Sequence, residues 1–191
     1  MPYVLAVDPG TKSSGVILAN LAEPLKPTTD SSICPTIIYH DHMNNHELVD
    51  SLRLPRFSVN NEDYILKYVA IENMVSYNMR VGRETFETCM WIGRFIEAVL
   101  SNSQLSTALL IPRPSVKMLL CGSMRAKDAD IRRSISDLYG GKGTKASPGP
   151  LFGIAQHKWS ALAIAMFTQE LYNCGDTEFL KYMPPVTVDN I

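Results

Sequence analysis

Tyr3-Val4-Leu5-Ala6-Val7-Asp8-Pro9-Gly10-Thr11-Lys12-Ser13-Ser14-Gly15-Val16-Ile17-Leu18-Ala19 is the stretch that decides the fold. Apolar residues fill Tyr3 to Val7, and a second such run spans Ser14 to Ala19. Between them Asp8 to Ser13 carries Asp, Pro, Gly and Ser, which favour turns and break strands. Two runs of strand length around such a connection predict a β-hairpin. Pro24 to Pro35 reads as an irregular excursion, and Thr36-Ile37-Ile38-Tyr39 as a third strand, so the first three strands form an antiparallel meander. Residues 41–66 are polar, with a short helix expected around Glu47 to Leu52. Tyr68-Val69-Ala70-Ile71-Glu72 has the profile of a buried strand that ends in an acid. Glu84 to Leu100 reads as a mostly buried helix, and Ala108 to Ile111 as a fifth strand. Helices are expected at Ser115 to Leu120, Ala126 to Leu138 and Ile154 to Tyr172, with a Gly/Pro/Lys loop from Gly140 to Gly153. Strands followed by helix-strand-helix alternation indicate an α/β or α+β domain with a mixed sheet.

Composition narrows the class. A chain of 191 residues, 46% apolar and 19% charged, has room for one domain with a real core and is not disordered over most of its length. Residues 1–175 are expected to form that domain and 176–191 a tail. No apolar run reaches the ~18 residues of a membrane span, and no basic leader precedes Tyr3. A cytoplasmic location is therefore expected, with no membrane partner. Cys34, Cys89, Cys121 and Cys174 form no CxxC pair and read as reduced core thiols rather than zinc ligands. The net charge of −1 is uninformative, but its distribution is not. Ile111 to Lys145 holds eight cations (Arg113, Lys117, Arg125, Lys127, Arg132, Arg133, Lys142 and Lys145) against three acids, and the rest of the chain is acidic. A phosphate footprint and a solvated helix face both fit that asymmetry.

Asp8 and Glu72 each end an apolar strand. Singly, either serves as a turn former or helix cap. Two carboxylates at the ends of adjacent central strands repel one another unless a cation neutralises them, which suggests a divalent metal site. On the last helix, His157 and Ser160 are three apart and share a face, while Ala161 and Ala163 let that helix lie close to the sheet. His40-Asp41-His42 with His46 imitates a metal cluster but reads as alternate residues of a strand and a following turn. Trp91 and Trp159 read as packing anchors.

Four motifs in order, Val7-Asp8-Pro9-Gly10-Thr11-Lys12-Ser13-Ser14-Gly15, Ala70-Ile71-Glu72-Asn73, Pro114-Ser115-Val116-Lys117 leading to Gly122 and Ala126-Lys127, and His157 with Ser160-Ala161-Leu162-Ala163-Ile164-Ala165, resemble RuvC-type Holliday-junction resolvases over residues 3–172. Their looser spelling is similar to the phage-borne branch, in a bacterial or phage-infected host cytoplasm. The resemblance implies an RNase H-like fold with a five-stranded mixed sheet flanked by helices, and a homodimer. The implied activity is paired nicking of four-way and other branched DNA, leaving a 5′ phosphate and a 3′ hydroxyl. It further implies two Mg²⁺ or Mn²⁺ ions per site, held by Asp8, Glu72, His157 and the position of Ser160. Lys117 and Lys127 are implied near the scissile strand; Lys12, Arg125, Lys127, Arg132 and Arg133 are expected on the DNA. Tyr77 stands near where the family carries a wedging aromatic, although a packed surface tyrosine fits as well.

Ser160 departs from the family, which has an acid there. A hydroxyl is a feeble ligand for a hard cation. Three arrangements are open: Ser160 holds the metal through water, which we prefer; Asp128 or Asp130 swings in; or the position has been altered. Because an imidazole is softer than a carboxylate, Mn²⁺ is expected to serve better than Mg²⁺. Other readings are a junction-binding protein disabled at Ser160, an RNA-directed nuclease, and a kinase-like relative of the same superfamily. The last lacks a second phosphate loop.

Overall fold

The computed structural model describes residues 1–22, 33–75, 81–102 and 107–175. Most of the Pro24 to Pro35 excursion, Tyr77 and the tail at 176–191 lie outside them. In chain order the elements are β1 (Tyr3–Asp8), β2 (Ser13–Asn20), β3 (Thr36–Asn44), α1 (Asn45–Arg53), β4 (Phe57–Val59), β5 (Glu62–Tyr64), β6 (Leu66–Asn73), α2 (Arg83–Leu100), β7 (Ala108–Pro112), α3 (Arg113–Cys121), α4 (Asp128–Tyr139) and α5 (Lys158–Asn173). Five strands form one mixed sheet in the order β3-β2-β1-β6-β7. The meander β3-β2-β1 is antiparallel, and β1-β6-β7 is parallel.

The central strand β1 is buried from Val4 to Asp8, because both faces of the sheet are covered. Val4 and Ala6 pack in one core with Ala161, Leu162 and Ala165 of α5, while Leu5 and Val7 pack in the other with Leu48 of α1 and Phe95 of α2. Strands covered on both sides read as continuous apolar runs, and this is why β1 and β6 stand out in the sequence. The faces continue to the strand ends. Asp8 keeps the parity of Val4 and Ala6, and Glu72 that of Tyr68 and Ala70, so both carboxylates leave the sheet on the α5 face.

Several boundaries differ from expectation. β3 runs on to Asn44, so His40, Asp41 and His42 all lie within a strand rather than a strand and a turn. β3 is an edge strand with half-buried residues, and its backbone pairing with β2 sustains it where apolar content does not. The hairpin β4–β5 was not anticipated, although Asn60 and Asn61, at φ 52° and 63°, supply the left-handed pair that a tight hairpin turn requires. α2 is not mostly buried: one stripe, Thr88, Ile92, Phe95, Ala98 and Val99, faces the core, whereas Phe86 and Met90 are 62% and 70% exposed. α5 begins at Lys158 rather than near Ile154, because Gln156 adopts φ 49° and breaks the helical backbone. Among the cysteines Cys34 is buried, but Cys89 and Cys174 are exposed, lying on the open side of α2 and at the end of α5.

Candidate active site

A row of side chains crosses the sheet at its open end. His42 of β3 pairs with Gly15 of β2, and Gly15 pairs with Asp8 of β1. Val7 is registered with Ile71, which places Asp8 beside Glu72, and Glu72 is registered with Ile111 of β7. His157, the residue that caps α5, descends on this row directly over Gly15. A Cβ at Gly15 would lie 2.7 Å from the His157 carbonyl carbon and 2.9 Å from its Cβ, so no side chain fits there. The His157 ring lies between the two acceptor-rich strands: its Nδ1 is 2.9 Å from Asp8 Oδ2, and its edge meets the His42 ring at 5.7 Å between centroids.

Asp8 and Glu72 are 8% and 7% exposed. Burial, and then the charge of Asp8, push the Glu72 carboxyl up to about 7, with Arg113 opposing the rise. His157 is shifted the other way for its class: the bond to Asp8 raises its pKa and favours the imidazolium. Arg113, the first residue of α3, follows β7 and therefore stands beside Glu72. Its Nη1 donates to both Glu72 oxygens at 2.8 and 3.1 Å and reaches Ser160 Oγ at 3.3 Å, while Nη2 donates to Asp128 at 2.7 Å. That contact holds the Asp128 carboxyl below its ordinary range. Asp8, Arg113, Asp128, Arg132, Gln156, His157 and Ser160 line one cleft. Lys12, Ser13, Glu84, Thr88 and His157 border a second, so the histidine stands between them.

The loop that follows Asp8 is fastened from below. Buried Asn45 donates through Nδ2 to the Gly10 carbonyl at 2.9 Å and through its backbone N–H to the Lys12 carbonyl at 3.1 Å, and it accepts from Ser14 Oγ at 2.7 Å. Trp91 Nε1 donates to the Thr11 carbonyl at 2.9 Å, so this residue is more than a packing anchor. These bonds fix the backbone that carries Lys12 to the rim.

The structure thus brings Asp8, Glu72, His157 and Ser160 to one place, but not as one helix face meeting two acids. His157 precedes α5 and turns to Asp8, whereas Ser160, inside the helix, turns to Arg113. Arg132 lines the cleft and Lys12 its neighbour; Lys117 is half-buried on α3, four residues beyond Arg113. Arg125, Lys127 and Arg133 are exposed, and none of the three lines either cleft. Arg113, Asn45 and His42 were not singled out from sequence as site residues. The position of Arg113, immediately after the strand next to that of Glu72, was the available signal.

Among the described residues, no three His, Cys, Asp or Glu side chains converge as a metal cluster. Two adjoining buried carboxylates that repel one another suit one hard cation with water completing its shell. The Glu72 oxygens, Ser160 and Asp128 also face the Arg113 guanidinium, and Asp8 and Glu72 are the carboxylates whose chemistry fits a divalent cation.

A mixed sheet in this order, with acids at the ends of its first and fourth members and a helix lying across them, is an RNase H-like fold. Two solved structures share it: RuvC of Thermus thermophilus, 14% identical over 96% of this chain and 99% of that one with a TM-score of 0.66, and T. thermophilus RuvC in complex with a Holliday junction substrate, 13% identical over 97% and 100% with a TM-score of 0.58. No protein-family model and no curated protein matches the sequence. No helix among the described residues is long and apolar enough to cross a membrane.

Proposed function

We propose that this chain is a structure-selective endonuclease that cuts four-way and other branched DNA by divalent-cation-dependent hydrolysis, nicking in pairs as a homodimer. The observation that carries the reading is the Asp8–Glu72 pair: two buried carboxylates on neighbouring parallel strands, one of them driven up to about 7 even though Arg113 is paired with it. Glu72 stays raised despite Arg113, so the pair still favours a further counter-charge, and the fold is one in which a relative has been solved on a Holliday junction. Asp8 and Glu72 would hold the cation, Mg²⁺ or Mn²⁺, with Mn²⁺ the better of the two. When bound, it supplies activation of water and stabilisation of the leaving oxygen. His157, held by Asp8 and drawn toward its imidazolium, offers a proton or hydrogen bond at the mouth of the cleft. Lys12 and Arg132, at the rims, would take backbone phosphates and fix the register of the strand.

The test is nicking of a synthetic four-way junction with Mn²⁺. Cleavage lost in Asp8→Asn with junction binding retained supports the reading; no cleavage by the unaltered chain overturns it. A junction-binding protein of feeble activity is the second reading, favoured by the Arg113–Glu72 ion pair and the neutral Ser160. The same assay separates the two. An RNA–DNA hybrid used as a competitor substrate tests the RNA-directed alternative.

A further inference from the structure

We propose that Arg113 takes the place of a second metal ion, so that the centre works with one divalent cation and one resident guanidinium. This rests on the nuclease reading above and deepens it. The Arg113 side chain occupies the space that Glu72, Ser160 and Asp128 enclose. Its Nη1 lies 2.8 and 3.1 Å from the two Glu72 oxygens and 3.3 Å from Ser160 Oγ, and its Nη2 lies 2.7 Å from Asp128 Oδ1. A cation held by the same three side chains would coincide with the guanidinium, and the two cannot be accommodated together.

The charges agree with the geometry. A carboxylate at position 160 would add a negative oxygen where the structure has a neutral hydroxyl. With Ser160, one delocalised positive charge satisfies Glu72 and Asp128 and still reaches the hydroxyl. Arginine suits the place because its fork donates in a fixed plane and stays charged at any working pH. Asp8 makes no contact with Arg113 among the described hydrogen bonds and ion pairs, so the Asp8 side of the pair is left for the single cation. The guanidinium borders the cleft, where its unengaged N–H groups can meet a phosphate oxygen as negative charge develops there.

The test counts ions on the full chain, without DNA, by titrating Mn²⁺ and following free Mn²⁺ by electron paramagnetic resonance alongside calorimetry. We expect one Mn²⁺ per chain, lost in Asp8→Asn, and one in Arg113→Lys. The double variant Arg113→Gln with Ser160→Asp should bind two. Two ions on the unaltered chain, or one on the folded double variant, overturn the proposal. Should the double variant fail to fold by circular dichroism, the count on the unaltered chain decides. The nuclease reading fails separately: a chain that nicks junctions while binding two ions keeps that reading and loses this one, whereas a chain that binds none and nicks nothing loses both.

Discussion

At the scale of the residue, the site is governed by which charges share a dry place. Glu72 retains a proton in the folded, metal-free chain up to about pH 7, whereas the unfolded chain releases it near pH 4.5. The native state therefore binds more protons than the unfolded one in that window, and its stability falls as pH rises through it. In the presence of a chelator the melting temperature should drop between those two pH values, by roughly 2–4 °C for each kcal/mol lost. Glu72→Gln should flatten that slope, and Mn²⁺ should lift the unaltered chain most at the upper end. Parallel slopes for the two proteins would sink the assignment. Gly15 makes a second prediction. Because the atoms in its way are the backbone and Cβ of His157, Gly15→Ala must displace that residue from Asp8. A misplacement of about 1 Å at a reacting group costs on the order of 10²-fold. Junction cleavage should fall by about that factor, while binding measured by mobility shift persists; a Gly15→Ala protein that cuts at the normal rate contradicts the packing.

At the scale of the element, the loop between β1 and β2 is held by parts that lie far along the chain. Asn45, fully buried at the start of α1, is bonded to Gly10, Lys12 and Ser14, and Asn45→Ala takes the acceptor from the Ser14 hydroxyl and the donor from the Gly10 carbonyl. Each orphaned buried group costs about 1–3 kcal/mol. The variant should melt several degrees lower, and hydrogen exchange should quicken in the peptide spanning Pro9 to Ser13 more than in β6. Uniform quickening would assign Asn45 to general stability instead. The same elements show why part of the molecule could be read from sequence. β1, β2, β6 and β7 announce themselves because they are buried on both faces, and the acids at the ends of β1 and β6 follow in register. β3 hid half its length because an edge strand tolerates His40, Asp41 and His42. The entry to α5 was misplaced because a left-handed Gln156, which carries no sequence signature, decides it. Arg113 reads in sequence only as one cation of a basic stretch, because its contact with Glu72 comes from the pairing of β7 beside β6, which residue order alone does not state.

At the scale of the whole molecule, α2 presents Phe86 and Met90 to solvent on the side away from the sheet, and a two-fold substrate calls for two cutting centres. If this helix joins two copies, Phe86→Ser with Met90→Ser should leave each copy folded by circular dichroism, because both residues lie off the core, and should remove the dependence of the melting temperature on protein concentration. It should also shift sedimentation from dimer to monomer and convert paired cuts into single nicks. A double variant that still sediments as a dimer would remove α2 from the interface. The bond between His157 and Asp8 joins positions 149 apart, and α5 is the last element in chain order among the described residues. Any stretch of chain that ends before His157 and α5 carries Asp8 and Glu72 without the histidine that bonds Asp8. Under the proposed nuclease reading, a fragment that stops short of both should therefore leave DNA uncut.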